Sequence, residues 1–318
     1  MKLIFGIFFI ISVISFIGLA TGIYLAFSFS RHRIVPSFMV LITIIAMAGF
    51  ALGLYSIYKA HKQSNTIIEL SHQLRSKQQV IDNINLAQSK QLLFIHHSVG
   101  AGWLDQGQLA ESLLANGIGV HDATYGDMIG EDTDMNHWVP KFDKHMDKIF
   151  AFNYHPDTYY KDDRQNDIIM FKSCFPNSDI QGEGAAPGNP TDPTKTVWNY
   201  KAVFEKLTSD FAKYPDKIFI YITAPPLVPN VTTPENAARA REFNNWVKAD
   251  FVKQYTEKTG LNNFLVFDFF DVLADNQGML KEEYRPSQND SHPNSRGTQA
   301  ATASYMQFLR DNGVITNN

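Results

Sequence analysis

The sequence predicts an α/β domain built on a parallel sheet, preceded by a two-helix transmembrane hairpin and a helical linker. Three features lead there: two long uncharged apolar segments at the amino end, a stretch after them without Gly or Pro, and, from residue 91, short apolar runs alternating with longer polar stretches.

Residues 3–30 and 34–58 each lack any charged side chain. Each exceeds the roughly 20 residues that a helix needs to cross a bilayer. A cleaved signal peptide would have a shorter apolar core and a small-residue cleavage site before a polar mature start. Residues 1–58 are therefore read as two membrane spans, with the lipid bilayer as a partner. Lys2, Lys59, Lys62, Arg75 and Lys77 flank the outer ends, against Arg31 and Arg33 in the short connection. The surplus favours both ends, and the domain that follows, on the cytoplasmic side. The two loop arginines keep the extracytoplasmic side open.

Residues 59–90 contain no Gly or Pro and carry Ile67, Leu70, Leu74, Ile81 and Ile84 at three- and four-residue steps, with Lys77 interrupting one position. That is heptad spacing. A helix of about 30 residues would be about 45 Å long. Two readings stand: a short coiled-coil stalk that pairs two copies of the chain, and a single amphipathic linker helix.

Residues 91–318 form the third part. Leu92–His97, Gly119–Thr124, Asp167–Ser173, Lys217–Thr223 and Phe264–Phe269 read as strands, mostly continuous β-branched or aromatic runs, as expected where both faces of a parallel sheet are covered. Gln106–Asn116, Thr196–Lys213, Pro234–Thr259 and Ser295–Asp311 read as helices between them. Phe150–Arg164, crowded with aromatic and acidic residues, and the Gly/Pro-rich Gln181–Pro193 read as substrate-contacting loops.

Charge is divided along the chain. Residues 1–90 hold 8 Lys/Arg and 2 Asp/Glu, net +6, and residues 91–318 hold 20 and 30, net −10, consistent with −4 overall. An acidic domain argues against a nucleic-acid partner, since phosphate binding needs a basic face. The single cysteine, Cys174, cannot form an internal disulfide.

Two short motifs carry the chemistry. In Asp290-Ser291-His292-Pro293 an acid and an imidazole lie two residues apart, where a loop can set one against the other. In Phe94-Ile-His-His-Ser98 a serine ends an apolar strand. Ligands of open α/β sheets sit beyond the carboxyl ends of the strands. Ser98 follows the first strand, Asn177 the third and Asp290/His292 the last, so all can converge there.

These residues resemble the motif blocks of the SGNH, or GDSL-type, hydrolase superfamily over roughly residues 91–312. His96-His97-Ser98 with Gly102 is similar to the first block, Gly130 (with Gly126 as competitor) to the second, Lys172-Ser-Cys-Phe-Pro-Asn177 to the third, and Asp290-Ser-His292-Pro293 to the fifth. The resemblance implies a three-layer α/β/α sandwich on a flavodoxin-like five-stranded sheet. It also implies Ser98 as nucleophile, His292 as general base and Asp290 as its orienting carboxylate. The backbone amides of Ser98 and Gly130 and the side chain of Asn177 would form the oxyanion hole, in which each donor is worth roughly 3–4 kcal/mol. The chain departs from the family where His97 stands in place of the first-block aspartate and where the third block lacks its glycine. The expected activity is acyl-enzyme hydrolysis of a carbohydrate O-acyl ester or a lipid ester, with O-acyl transfer by the same triad and a non-catalytic binding or scaffold role as alternatives.

No cofactor is expected. His96, His97, His121, His137 and His155 invite a metal, but neighbours on a strand point to opposite faces and no His-Glu-x-x-His or paired-Cys spacing occurs. His97 is expected to support the site structurally. Lys172 is expected to snorkel to its strand end or to meet an anionic group, because a buried ammonium needs a partner.

Overall fold

Five runs of β-branched and aromatic residues form the central sheet of the computed structural model, which describes residues 44, 48–64, 66–68, 70, 71, 74 and 90–316. The strands are β1 (Lys90–Ile95), β2 (Ile118–Ala123), β5 (Ile168–Lys172), β6 (Ile218–Ile222) and β7 (Phe264–Phe267). All pair in parallel, in the order β2-β1-β5-β6-β7, the flavodoxin-like arrangement. Leu92, Leu93, Phe94 and Ile95 of β1 are wholly buried, as a strand covered on both faces requires.

Alternation along the strands divides the interior into two cores. Leu93, Ile95, Ile169, Phe171, Phe219 and Tyr221 face α3 (Trp138–Ala151), α4 (Val197–Phe211), α5 (Pro234–Asn245) and α6 (Val252–Thr259). Leu92, Phe94, Ile168, Met170, Ile220 and Ile222 face α1 (Ser98–Leu104), α2 (Leu109–Ala115), α7 (Phe269–Leu273) and α8 (Ser295–Asp311). The result is three layers, helices on both faces of a parallel sheet.

Side-chain caps open four of these eight α-helices, α4, α5, α7 and α8. Pro234 opens α5 behind Thr233, whose hydroxyl accepts the Asn236 N–H at 3.2 Å, and Asn294 caps α8 by accepting the Gly297 N–H at 3.1 Å. Residues 234–259, expected as one helix, are α5 and α6 joined through a π-helical turn at Trp246–Phe251.

Three elements lie outside the sequence expectation. The two glycines of α1 lower its helix propensity. Gly100 is nevertheless demanded by packing, since a Cβ there would lie 2.3 Å from Cγ of His96. In α3 the apolar stripe of Trp138, Phe142, Met146 and Ile149 is interleaved with Lys, Asp and His. The segment expected as a loop at 150–164 contains a small antiparallel hairpin, β3 (Phe152–Tyr154) with β4 (Thr158–Tyr159).

The chain divides into two compact units, Met1–Ile81 and Asp82–Asn318. In the first, residues 48–64 are helical. Among the described residues no helix is long and apolar enough to cross a membrane. The expected span at 3–30 lies outside the described residues, as does much of that at 34–58 and of the 59–90 linker. Ile67, Leu70 and Leu74 of the linker are exposed.

Phe171 sits at the centre of the first core, its ring 5.0–5.9 Å from those of Trp138, Phe142, Phe211 and Tyr221. Phe171→Ala should cost about 3–5 kcal/mol, read as a lower denaturant midpoint at unchanged slope.

Candidate active site

The candidate site lies on the carboxyl edge of the sheet. β1 ends at Ile95; His96 and His97 turn the chain, and Ser98 opens α1 with its side chain exposed. The long loop before α8 brings Asp290 and His292 to the same edge. That loop is anchored by Ser291, buried, whose hydroxyl accepts the Val228 N–H at 3.1 Å, and it ends in the Asn294 cap.

Ser98, His292 and Asp290 form one relay. Ser98 Oγ is 2.8 Å from His292 Nε2, and His292 Nδ1 is 2.6 Å from Asp290 Oδ1, which also accepts the His292 backbone N–H at 2.9 Å. These two bonds to His292 hold the Asp290 carboxyl below its ordinary pKa, so it is ionised and can only accept. The imidazole proton therefore sits on Nδ1, and Nε2 is the lone pair that receives the Ser98 hydroxyl proton. The Phe175 ring meets the imidazole edge-on at 5.0 Å. Beyond Asp290 a groove of about 260 Å³ is lined by Phe175, Pro176, Leu227, Val231 and Lys195, among others.

The expected oxyanion donors are placed differently. Ser98 is the first residue of its helix, so its N–H has no acceptor within the helix. The Gly130 N–H donates instead to Asp127 O at 2.9 Å, while its carbonyl accepts from His97 Nε2 at 2.9 Å. Glycine is needed at 130 for space: a Cβ would fall 2.1 Å from Thr124 O. The Gly126 N–H, at φ 92°, donates to the Glu131 carboxylate at 2.7 Å. Asn177 is buried, and its amide donates to Asp134 Oδ1 at 2.7 Å and Cys174 O at 3.2 Å while its oxygen accepts from Met135 N at 3.1 Å. Of the expected set, only the Ser98 N–H lacks a protein acceptor among the described residues. The reason is that the loop after β2 is closed on itself and on the turn after β5.

Asp127 organises that loop, and nothing in the sequence singles it out. Its carboxylate, fully buried, accepts from Thr124 N, Asp157 N and His155 Nδ1 at 2.8–2.9 Å, and its carbonyl takes the Gly130 and Glu131 N–H groups. His97 fastens the loop to the serine turn. Because a carbonyl only accepts, Nε2–H donates to Gly130 O, and Nδ1 accepts the Thr133 hydroxyl at 3.2 Å. Burial lowers the His97 pKa against the opposing pull of the Gly130 carbonyl, and nearby Lys172 adds to the lowering. Tyr125 stacks on the imidazole, ring centroids 3.8 Å apart and planes 22° apart.

Lys172 does not snorkel. It is wholly buried, with Nζ donating to Ser173 O at 3.0 Å, and burial lowers its pKa. The remaining histidines are dispersed. His96 Nδ1 meets His97 O at 2.8 Å, His121 Nε2 meets Gln91 Oε1 at 2.7 Å and His137 Nδ1 accepts from Asp134 N at 3.3 Å. Among the described residues no cluster of His, Cys, Asp or Glu is arranged to hold a metal ion.

Asp290→Asn keeps the shape of the relay but removes the charge that fixes the imidazole tautomer, so kcat should fall by about 10⁴-fold at an unchanged circular dichroism spectrum. A second expectation concerns pH. With its folded pKa below 6.5, neutral His97 contributes stability that is present above the unfolded value and lost as pH falls through the folded one. The drop in Tm on acidification from neutral should therefore be smaller in His97→Gln than in the parent chain.

No protein-family model matches the chain, and no curated protein does. Solved structures are similar to it in fold. A GDSL-like lipase from Bacteroides thetaiotaomicron VPI-5482 is 14% identical over 74% of this chain and 97% of that one, with a TM-score of 0.42. A lipolytic protein assigned to the G-D-S-L family from Desulfitobacterium hafniense DCB-2 is 13% identical over 70% and 100%, TM-score 0.38. A salicylyl-acyltransferase from a tetracycline biosynthetic pathway is 13% identical over 71% and 55%, TM-score 0.39. At such identities and TM-scores no activity transfers between chains; the chemistry of this one rests on the distances between its own side chains.

Proposed function

We propose that this chain is a membrane-anchored serine ester hydrolase that works through an acyl-enzyme on Ser98. The relay Ser98 Oγ–His292 Nε2–Asp290 Oδ1, at 2.8 and 2.6 Å, carries this reading. A serine hydroxyl is a weak nucleophile until a base takes its proton, and His292 Nε2 is within reach to do so.

In the first half-reaction Ser98 Oγ attacks the ester carbonyl carbon as its proton passes to His292 Nε2. The imidazolium is held by Asp290 and returns that proton to the leaving alkoxide as the C–O bond breaks, leaving an ester on Ser98. In the second half a water gives a proton to His292 and its oxygen to the acyl carbon; Ser98 recovers the proton and the acid departs. The Ser98 N–H is a donor for the developing oxyanion. Gly130 or Gly126 and Asn177 can join only by exchanging their present acceptors, and the Gly126 bond to the exposed Glu131 is the most readily exchanged.

Carbohydrate O-acyl esters and lipid esters are the substrate classes. The imidazole side chain is 41% exposed, so solvent reaches the relay and water can serve as the acyl acceptor. The segments 3–30 and 34–58 serve as membrane spans in this reading, and 59–90 as the linker or pairing stalk. Flanking charge favours a cytoplasmic domain, a point that protease accessibility of residues 91–318 in sealed cells decides.

A fluorophosphonate probe should label Ser98 in the folded chain, and Ser98→Ala should lower p-nitrophenyl acetate hydrolysis by about 10⁴-fold or more. Turnover that survives Ser98→Ala would remove Ser98 as nucleophile. Folded protein that is neither labelled nor active would favour a binding or scaffold role, and acyl groups recovered on an added acceptor glycan rather than as free acid would favour transfer.

A further inference from the structure

The strand order sets the loop after β2 directly beside the turn that carries Ser98. In that loop Tyr125 is 53% exposed although its ring stacks on His97, the residue before the nucleophile. One face of the phenol ring is therefore covered and the other is open. The covered face is pinned, because the His97 ring beneath it is bonded at both nitrogens, to Gly130 O and to the Thr133 hydroxyl. The backbone before Tyr125 is held as well, the buried Asp127 carboxylate accepting the Thr124 N–H at 2.9 Å, while the Gly126 N–H on the other side meets the exposed Glu131 carboxylate. A large apolar ring held in water beside a nucleophile, with its conformational freedom already spent, is a preorganised binding surface.

We propose that Tyr125 is the floor of a sugar subsite, so that the ester cleaved at Ser98 is carried by a pyranose; this rests on the ester hydrolase reading above. The C–H face of a pyranose is apolar and fits an aromatic face, which carries the negative part of the ring quadrupole. Its hydroxyls need acceptors at the rim, and the exposed carboxylates of Glu131 and Asp132 lie within the same loop. The same carboxylates disfavour the phosphate of a phospholipid. His155, held by Asp127, lies 3.7 Å from the position a Gly126 Cβ would take, so a side chain at 126 would meet it.

The test compares O-acetylated xylo-oligosaccharide, p-nitrophenyl acetate and tributyrin as substrates of the full chain in detergent, for the parent, Tyr125→Ala, Tyr125→Leu and Tyr125→Trp. The proposal expects KM for the oligosaccharide to rise by about tenfold or more in both the Ala and the Leu variants with a much smaller change in kcat. It also expects the ratio of kcat/KM between oligosaccharide and p-nitrophenyl acetate to fall, and Trp to retain it. Equal losses on all three substrates, or an oligosaccharide KM indifferent to Tyr125→Leu, would overturn it. If the chain turns over none of them, the hydrolase reading fails separately. The subsite is then read by saturation-transfer NMR of the same oligosaccharide on Ser98→Ala: binding that disappears on adding Tyr125→Leu supports the subsite, and no binding to Ser98→Ala overturns it.

Discussion

Parallel pairing on both sides of β1 is the constraint from which the rest of the site follows. It aligns Ile95 with Ala123 of β2 and with Phe171 of β5, so that three chain segments leave the sheet at the same level. Ser98, the Asp127 loop and Asn177 each begin within a few residues of that level. The register is held by two fully buried faces, and a slip of one residue would exchange Leu93 and Ile95 with Leu92 and Phe94 between cores built for different shapes. The site inherits its positional precision from the packing beneath it.

Above that edge, the site is held by polar contacts of uneven strength. Asp127 and Asn177 are buried and bonded through nearly every polar atom, so the second and third segments behave as rigid walls. The triad is exposed by comparison, with about two fifths of the His292 and nearly half of the Asp290 side chain open to solvent. Rigid walls around an accessible relay suit a reaction in which ester enters and water follows. His97 links the two regimes: its imidazole joins the nucleophile turn to the loop wall and also carries Tyr125. An aspartate in its place could accept hydrogen bonds but could neither donate to the Gly130 carbonyl nor offer a stacking face.

Much of the architecture was legible because parallel strands buried on both faces read as uninterrupted apolar runs. All five strands of the sheet fall where those runs lie, and α4, α5 and α8 begin at capping residues visible in the sequence. The misses have physical causes. Gly100 and Gly102 hide α1, since only the His96 ring packed against position 100 explains a glycine in a helix. The stripe of α3 keeps helical spacing, but Pro140 in its first turn and the kink at His145 break the run that would mark it as one helix. The β3–β4 hairpin depends on Asp127, which reaches it from another loop.

By itself the sequence determined the layered α/β fold, the two uncharged segments ahead of it and the residue types of the relay, because burial, hydropathy and short-range spacing are written locally. Only the tertiary structure decided that Ser98 and His292, 194 positions apart, stand 2.8 Å from each other. It also decided that Gly130 and Asn177 have their donors turned inward, and that Lys172 is buried rather than snorkelling. Hydrogen-bond partnership is a property of space: His292 meets Ser98 and Asn177 meets Asp134 across segments that no spacing rule connects, while the Gly130 N–H and Lys172 Nζ turn to acceptors within three residues, a choice that only the folded backbone fixes.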